Sequence, residues 1–210
     1  ANGSAPAQVQ VIWLKDVIRA PTGGFPAATL QLSGYLGTIL HHLKVKFPNV
    51  RQIYLASRIY AGYATTALNP EPFAYEQGFA VKWTIESQID GSALNYDPAH
   101  GPVVAPWIDW GTYNWADGLS PRSDGLTWLC SDYQSDGTHP SAAGRTKVAN
   151  FLLDFVHEHD LVGSVDPVQY SVRLLLPEGS LLLDHPDLTG PGTGGVGNWD
   201  PERSTYSWSH

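Results

Sequence analysis

Val9–Leu14 reads VQVIWL and Val50–Ala56 reads VRQIYLA, and what lies between them decides the fold. Each is a short, β-branched, largely apolar run, the pattern of a strand buried on both faces. Lys15-Asp16 ends the first run with two charges. A loop holding Pro21, Gly23, Gly24 and Pro26 follows. From Ala27 to Phe47 apolar residues recur at helical spacing (Leu32, Leu36, Ile39, Leu40, Leu43), and Pro48 stops the helix. Strand, helix and strand in that order make a βαβ unit, and hence a parallel sheet.

Further along, the spacing predicts a helix from Pro72 or Phe73 to Ile89, with Pro in its first turn, and a third strand over Pro102–Ile108. An aromatic loop spans Asp109–Gly137. A last helix opens after Ser141, with Val148, Phe151, Leu152 and Phe155 as its apolar face. The alternation is α/β of the doubly wound type. The expected organisation is one α/β domain over residues 1–163, followed by 164–210. In that second part Tyr170–Leu176 and Ser180–Asp184 flank Pro177-Glu178-Gly179 and read as a β-hairpin. The final residues read as a Gly-rich polar tail.

Composition narrows the function. Twenty-one glycines and sixteen prolines in 210 residues mean many turns, while 42% hydrophobic residues leave enough for a sizeable core. The net charge is −8 and no Lys/Arg cluster occurs, which argues against a nucleic-acid partner. Nothing approaches the ~18 apolar residues of a membrane span. The single cysteine, Cys130, excludes an internal disulfide framework and a cysteine zinc site. It leaves secreted, periplasmic and cytoplasmic placement open.

The sharpest chemical signal is Ser135-Asp136-Gly137-Thr138-His139-Pro140-Ser141. A tight Gly-containing turn can bring the Asp136 carboxylate against the His139 ring, fix its tautomer and make it a general base. The plainer reading of the same residues is an Asx-turn at the start of a helix. Four of the eight tryptophans lie between Trp107 and Trp128. Trp110 and Trp115 in that loop are candidates to line a pocket for an acyl, aryl or sugar group, or else they pack a lid on the sheet. Arg58 and Arg122 are candidates to bind a carboxylate or carbonyl, or else to pair with Asp109, Asp117 or Asp124. Ser57, at the end of the second strand, sits where α/β sheets bind ligands, as a nucleophile, a substrate contact or a structural hydroxyl.

A metal reading is a poor match. Asp132-x-Gln134-x-Asp136-Gly137 has the start of a calcium loop, but Gln stands at its third position and Ala143 at its twelfth. No cofactor is expected, calcium at Asp132 and Asp136 being the only metal the pattern brings to mind.

The block Asp136-x-x-His139-Pro140 before a helix, with VQVIWLKD (9–16), SRIYAGYATTALNPEPFAYEQGFAVKW (57–83), WADGLSPRSDGLTW (115–128) and DGTHPS (136–141), resembles the SGNH (GDSL-like) hydrolases, within them a bacterial group. The resemblance covers about residues 7–160 and implies a flavodoxin-like doubly wound sheet. It also implies hydrolysis of ester or lactone bonds, on carbohydrate or acyl esters or small lactones such as an acyl-homoserine lactone. It assigns Asp136 and His139 as the acid–base pair. The family's G-x-N-D block aligns with Trp13-Leu14-Lys15-Asp16, which puts Lys15 where an Asn would donate to the substrate. The family's serine and glycine blocks have no counterpart ahead of Val9, so the chain resembles the family's C-terminal part, truncated at its N-terminus. Water or another serine is then left as nucleophile. The alternative is a catalytically inactive remnant that still binds a small molecule, or a truncated fragment. A sheet lacking those strands would leave Val9–Leu14 as a bare edge, for the hairpin or the partner copy in a homodimer to cover.

Overall fold

The computed structural model describes residues 6–91, 93–158, 196–200 and 205–208. The expected hairpin at 170–184 and the expected domain boundary at 163 lie outside these described residues. The described residues fall into two units, one ending at Ser141 and the other beginning at Ala142.

The first unit contains β1 (Val11–Leu14), α1 (Ala27–Lys46), β2 (Gln52–Leu55), α2 (Phe73–Ile89) and β3 (Trp107–Trp110). The strands form a three-stranded parallel sheet in the order β1-β2-β3. Leu14 stands opposite Leu55, and Leu55 opposite Trp110, so all three strands end at one edge. This is the α/β architecture expected from the βαβ pattern. Leu32, Leu36 and Leu40 of α1 and Ala80 and Val81 of α2 pack with Ile53, Leu55 and Ile108 in a single apolar cluster. Both helices therefore cover the same face of the sheet.

The third strand corrects the expectation. It begins at Trp107, not Pro102, and runs to Trp110. The reason lies in the prolines and in competing acceptors. Pro102 and Pro106 have no N–H to give to a ladder. The amides of Val104 and Ala105 donate instead to the Asn95 carbonyl, at 2.9 and 3.2 Å. Pairing with β2 starts only where Trp107 N donates to Arg51 O at 3.0 Å. The outer edge of β3 is then blocked by a side chain. Buried Gln88 accepts from Ile108 N (2.8 Å) and donates to the carbonyls of Leu94 and Pro106.

The second unit contains α3 (Ala142–Glu158), β4 (Val196–Asp200) and β5 (Thr205–Trp208). β4 and β5 pair antiparallel, with Val196 opposite Trp208 and Trp199 opposite Tyr206. Both strands lie in the stretch that reads as a Gly-rich polar tail. The β-branched and aromatic residues at these registers, which favour a strand, outweigh the surrounding glycines.

Candidate active site

Tyr133 and Pro140 face each other across an isolated antiparallel bridge, and the six residues between them form a closed loop. Gln134 N donates to His139 O at 2.8 Å, and Ser141 N to Asp132 O at 2.8 Å. Inside the loop the Asp136 carboxylate is used twice. Its Oδ1 accepts from the amides of Thr138 and His139, both at 3.0 Å, which is an Asx-turn. Its Oδ2 is hydrogen-bonded to His139 Nδ1. The structural turn and the chemical pair are thus one object, and the two readings of D-x-x-H do not compete. Gly137 makes the turn possible, with a φ of 66° that L side chains rarely adopt.

The electrostatics follow. The His139 ring, then the Thr138 and His139 amides, draw the Asp136 pKa from 3.8 down to about 2. An ionised carboxylate can only accept, so the Nδ1 proton points at Asp136 and the Nε2 lone pair is left as the base. The His139 side chain is 57% exposed, so that lone pair is open to a reactant.

The loop is tied to the chain that leaves β2. Thr65 N and Thr65 Oγ1 donate to Asp136 O at 3.0 and 3.2 Å. Tyr133 Oη donates to Tyr60 O, and the rings of Tyr63 and Tyr133 meet edge to face. Asp132 Oδ2 accepts from Leu129 N at 2.7 Å, so the two carboxylates of the calcium-like stretch serve separate turns.

Ser57 and Arg58 sit at the start of this same segment. Ser57 is buried. Its Oγ donates to Arg58 O (3.2 Å) and accepts from Asn114 N (2.7 Å), so it holds the chain after β3 against the chain after β2. Among the described residues no serine hydroxyl hydrogen-bonds the His139 ring. Arg58 is also buried and its Nη1 donates to Asn69 Oδ1 at 2.9 Å. Burial lowers its pKa, opposed by the charge of Glu71. Lys15 follows β1 directly. It is exposed as a residue, yet desolvation of its ammonium, and then the nearby Arg58, push its pKa below the usual lysine range, against the pull of Asp16.

The aromatic loop divides. Trp115 Nε1 donates to Glu71 Oε1 at 2.9 Å and its ring packs on Tyr75 and Tyr60, which keeps it beside the Arg58 segment. Trp110 packs against the apolar cluster instead and meets Tyr113 edge to face. Arg122 grips Asp124 through Nε (2.9 Å) and Nη2 (2.5 Å), and its Nη1 holds the carbonyls of Tyr113 and Trp115. That pair is among those the sequence offered, and it braces the loop. Arg122 in turn brings the Asp124 pKa from 3.8 to about 2.

Glu71, Asn69 and Gln77 complete the corner, and sequence reading missed all three. Glu71 accepts from Ala61 N, Trp115 Nε1 and Tyr75 N. Its only sequence mark is its place between Pro70 and Pro72. Gln77, buried in α2, accepts from Arg58 N at 3.0 Å. Immediately before it in α2, Glu76 Oε2 is buried without a hydrogen-bond partner among the described residues, and burial, then Glu71, raise its pKa.

No protein-family model, curated protein or solved structure matches the chain. The functional reading therefore stands on the residues themselves. Asp136 and His139 are brought together as a pair. Lys15, Ser57, Arg58 and Trp115 gather where β1 and β2 end, and Trp110 and Arg122 serve the packing of the loop.

Proposed function

We propose that the chain is a hydrolase of the SGNH (GDSL-like) type acting on ester or lactone bonds, with Asp136 and His139 as its acid–base pair. The observation that carries this is the pairing of His139 Nδ1 with an ionised Asp136, which leaves Nε2 basic and open. His139 Nε2 takes a proton from an attacking water as the water oxygen bonds to the acyl carbon. The imidazolium, stabilised by Asp136, returns that proton to the leaving alkoxide as the C–O bond breaks. The products are a carboxylic acid and an alcohol, joined in one hydroxy acid when the substrate is a lactone. Carbohydrate or acyl esters and lactones of the acyl-homoserine type are the proposed substrates. This reading includes the finer fold: a doubly wound, flavodoxin-like sheet of which β1, β2 and β3 are one part.

A second reading is a binding protein that retains the pocket without turnover. It is favoured by Ser57, whose hydroxyl is buried and engaged away from His139. One experiment separates the two. Hydrolysis of p-nitrophenyl butyrate and of a γ-lactone is measured for the wild type and for His139→Ala. The hydrolase reading expects a loss of about 10²-fold or more on removing the base. Turnover that survives the substitution, or no turnover in the wild type, removes it.

A further inference from the structure

We infer that the corner formed by Arg58 and Lys15 is a carboxylate-binding subsite, so that the ester or lactone taken by this protein carries a carboxylate of its own. The subsite stands on geometry, and only its role toward a substrate rests on the hydrolase reading above.

Arg58 is held as a binding residue is held. It is only 7% exposed. Its main-chain N–H is fixed by Gln77, and its Nη1 by Asn69. Asn69 and Gln77 are fixed in turn, donating to Ile18 O (3.0 Å) and Ala56 O (3.2 Å). Nε and Nη2, the planar two-donor edge of the guanidinium, have no partner among the described residues. The molecule shows what fills such an edge. In Arg122 the same two nitrogens take the two oxygens of Asp124. A carboxylate matches that fork in spacing and plane.

A second cation stands at the end of the neighbouring strand. The Lys15 side chain forms no hydrogen bond or ion pair among the described residues, and Lys15 follows Leu14, whose carbonyl accepts from Ala56 N at 2.8 Å, two residues before Arg58. Glu71 does not neutralise them by contact, because its oxygens already accept three N–H groups and it forms no ion pair with either cation. Two positive charges, one of them buried and presenting an open fork, at the carboxyl edge of a parallel sheet make a site for a small anion.

The test is a calorimetric titration of the full chain with succinate and with succinamide, its uncharged isostere. Succinate should bind at least about tenfold more tightly than succinamide, as expected for hydrogen bonds to charged groups. Lys15→Gln, at an exposed position, should weaken succinate binding about tenfold. Arg58→Lys keeps the charge, removes the fork and should weaken it as much; its folding is checked by circular dichroism, and Lys15→Gln decides if it fails to fold. Equal affinity for the two ligands, or indifference to Lys15→Gln, overturns the subsite. Succinate binding without turnover of any ester supports the subsite and removes the hydrolase. A kcat/KM for p-nitrophenyl hemisuccinate no higher than for the butyrate ester, with no succinate binding, overturns the subsite and leaves the hydrolase standing. An acetate ester of glycolic acid, set against the hemisuccinate, reports whether the carboxylate belongs to the alcohol or the acyl half.

Discussion

Gly137→Ala should damage the molecule far more than its one added methyl group suggests. At a φ of 66° any L residue in the left-handed region costs about 1–2 kcal/mol. The added Cβ would also lie 1.8 Å from Tyr63 O and 2.4 Å from Tyr63 C. Both are backbone atoms, so no side chain can swing aside. Relief requires the loop to move off the 63–65 segment, which breaks the two Thr65 donations to the Asp136 carbonyl. At about 1 kcal/mol for each bond the total is about 3–4 kcal/mol. For a chain of this size that is a fall in Tm of about 6–15 °C. Gly125→Ala is the control. It has a φ of 84° but nothing within 4 Å of the added carbon, so it should show the backbone cost alone. Calorimetric melting of both variants reads the difference. If Gly137→Ala melts within about 1 kcal/mol of Gly125→Ala, the contact between the His139 loop and the 63–65 segment is not part of the native structure.

Ser57→Ala leaves the buried Asn114 N–H without its acceptor and should cost about 1–3 kcal/mol in urea unfolding. An unchanged midpoint would mean that the serine does not brace the two loops. The Asp136 carboxyl, whose pKa is lowered from 3.8 to about 2, contributes stability that is complete above pH 3.8 and lost as the pH falls toward 2. Asp124 titrates in the same window beside Arg122, so the informative comparison is the wild type with Asp136→Asn, which should lose less stability across that range. A carbon-13 titration of Asp136 with its midpoint at the ordinary 3.8 would refute the pairing with His139.

The parts of this molecule that were legible in its sequence are those whose cause is local. β1, α1, β2 and α2 follow from apolar spacing and from Pro48. The Asp136–His139 pair follows from a three-residue spacing with a glycine inside it, and needs no distant residue to form. β3 was misplaced because an apolar run, PVVAPWI, looks like a strand until its donors are counted. Its prolines give none and Asn95 takes two, a competition that no window of hydrophobicity records. The surroundings of Arg58 were illegible for a related reason. An arginine in a sequence shows five donors but not which are taken. Here Asn69 takes one, and nothing in the spacing of Arg58 to Asn69 announces it. The expected acidic partners for Arg58 were Asp109, Asp117 and Asp124. The charge that acts on it is Glu71, fixed by main-chain N–H groups that only the folded chain brings together.

The segment from Ala56 to Thr65 explains why these features share one place. Ala56 N closes the ladder on Leu14 O at 2.8 Å, next to Lys15. Ser57 N donates to Thr112 O, beyond the end of β3. Arg58 is fixed from Asn69 and Gln77, Tyr60 O accepts from Tyr133, and Thr65 holds the turn at Asp136. One irregular stretch of chain after the central strand thus joins both outer strands, the cationic corner and the loop that carries His139. In a parallel sheet only the chain leaving the central strand can reach the ends of both neighbours on the same edge. Arg58 lies on this stretch and the His139 loop is tied to it through Thr65, so the relative placement of the two is set by backbone contacts. That rigidity is what a site needs if it is to hold the carboxylate of a substrate with one group and present its ester to another.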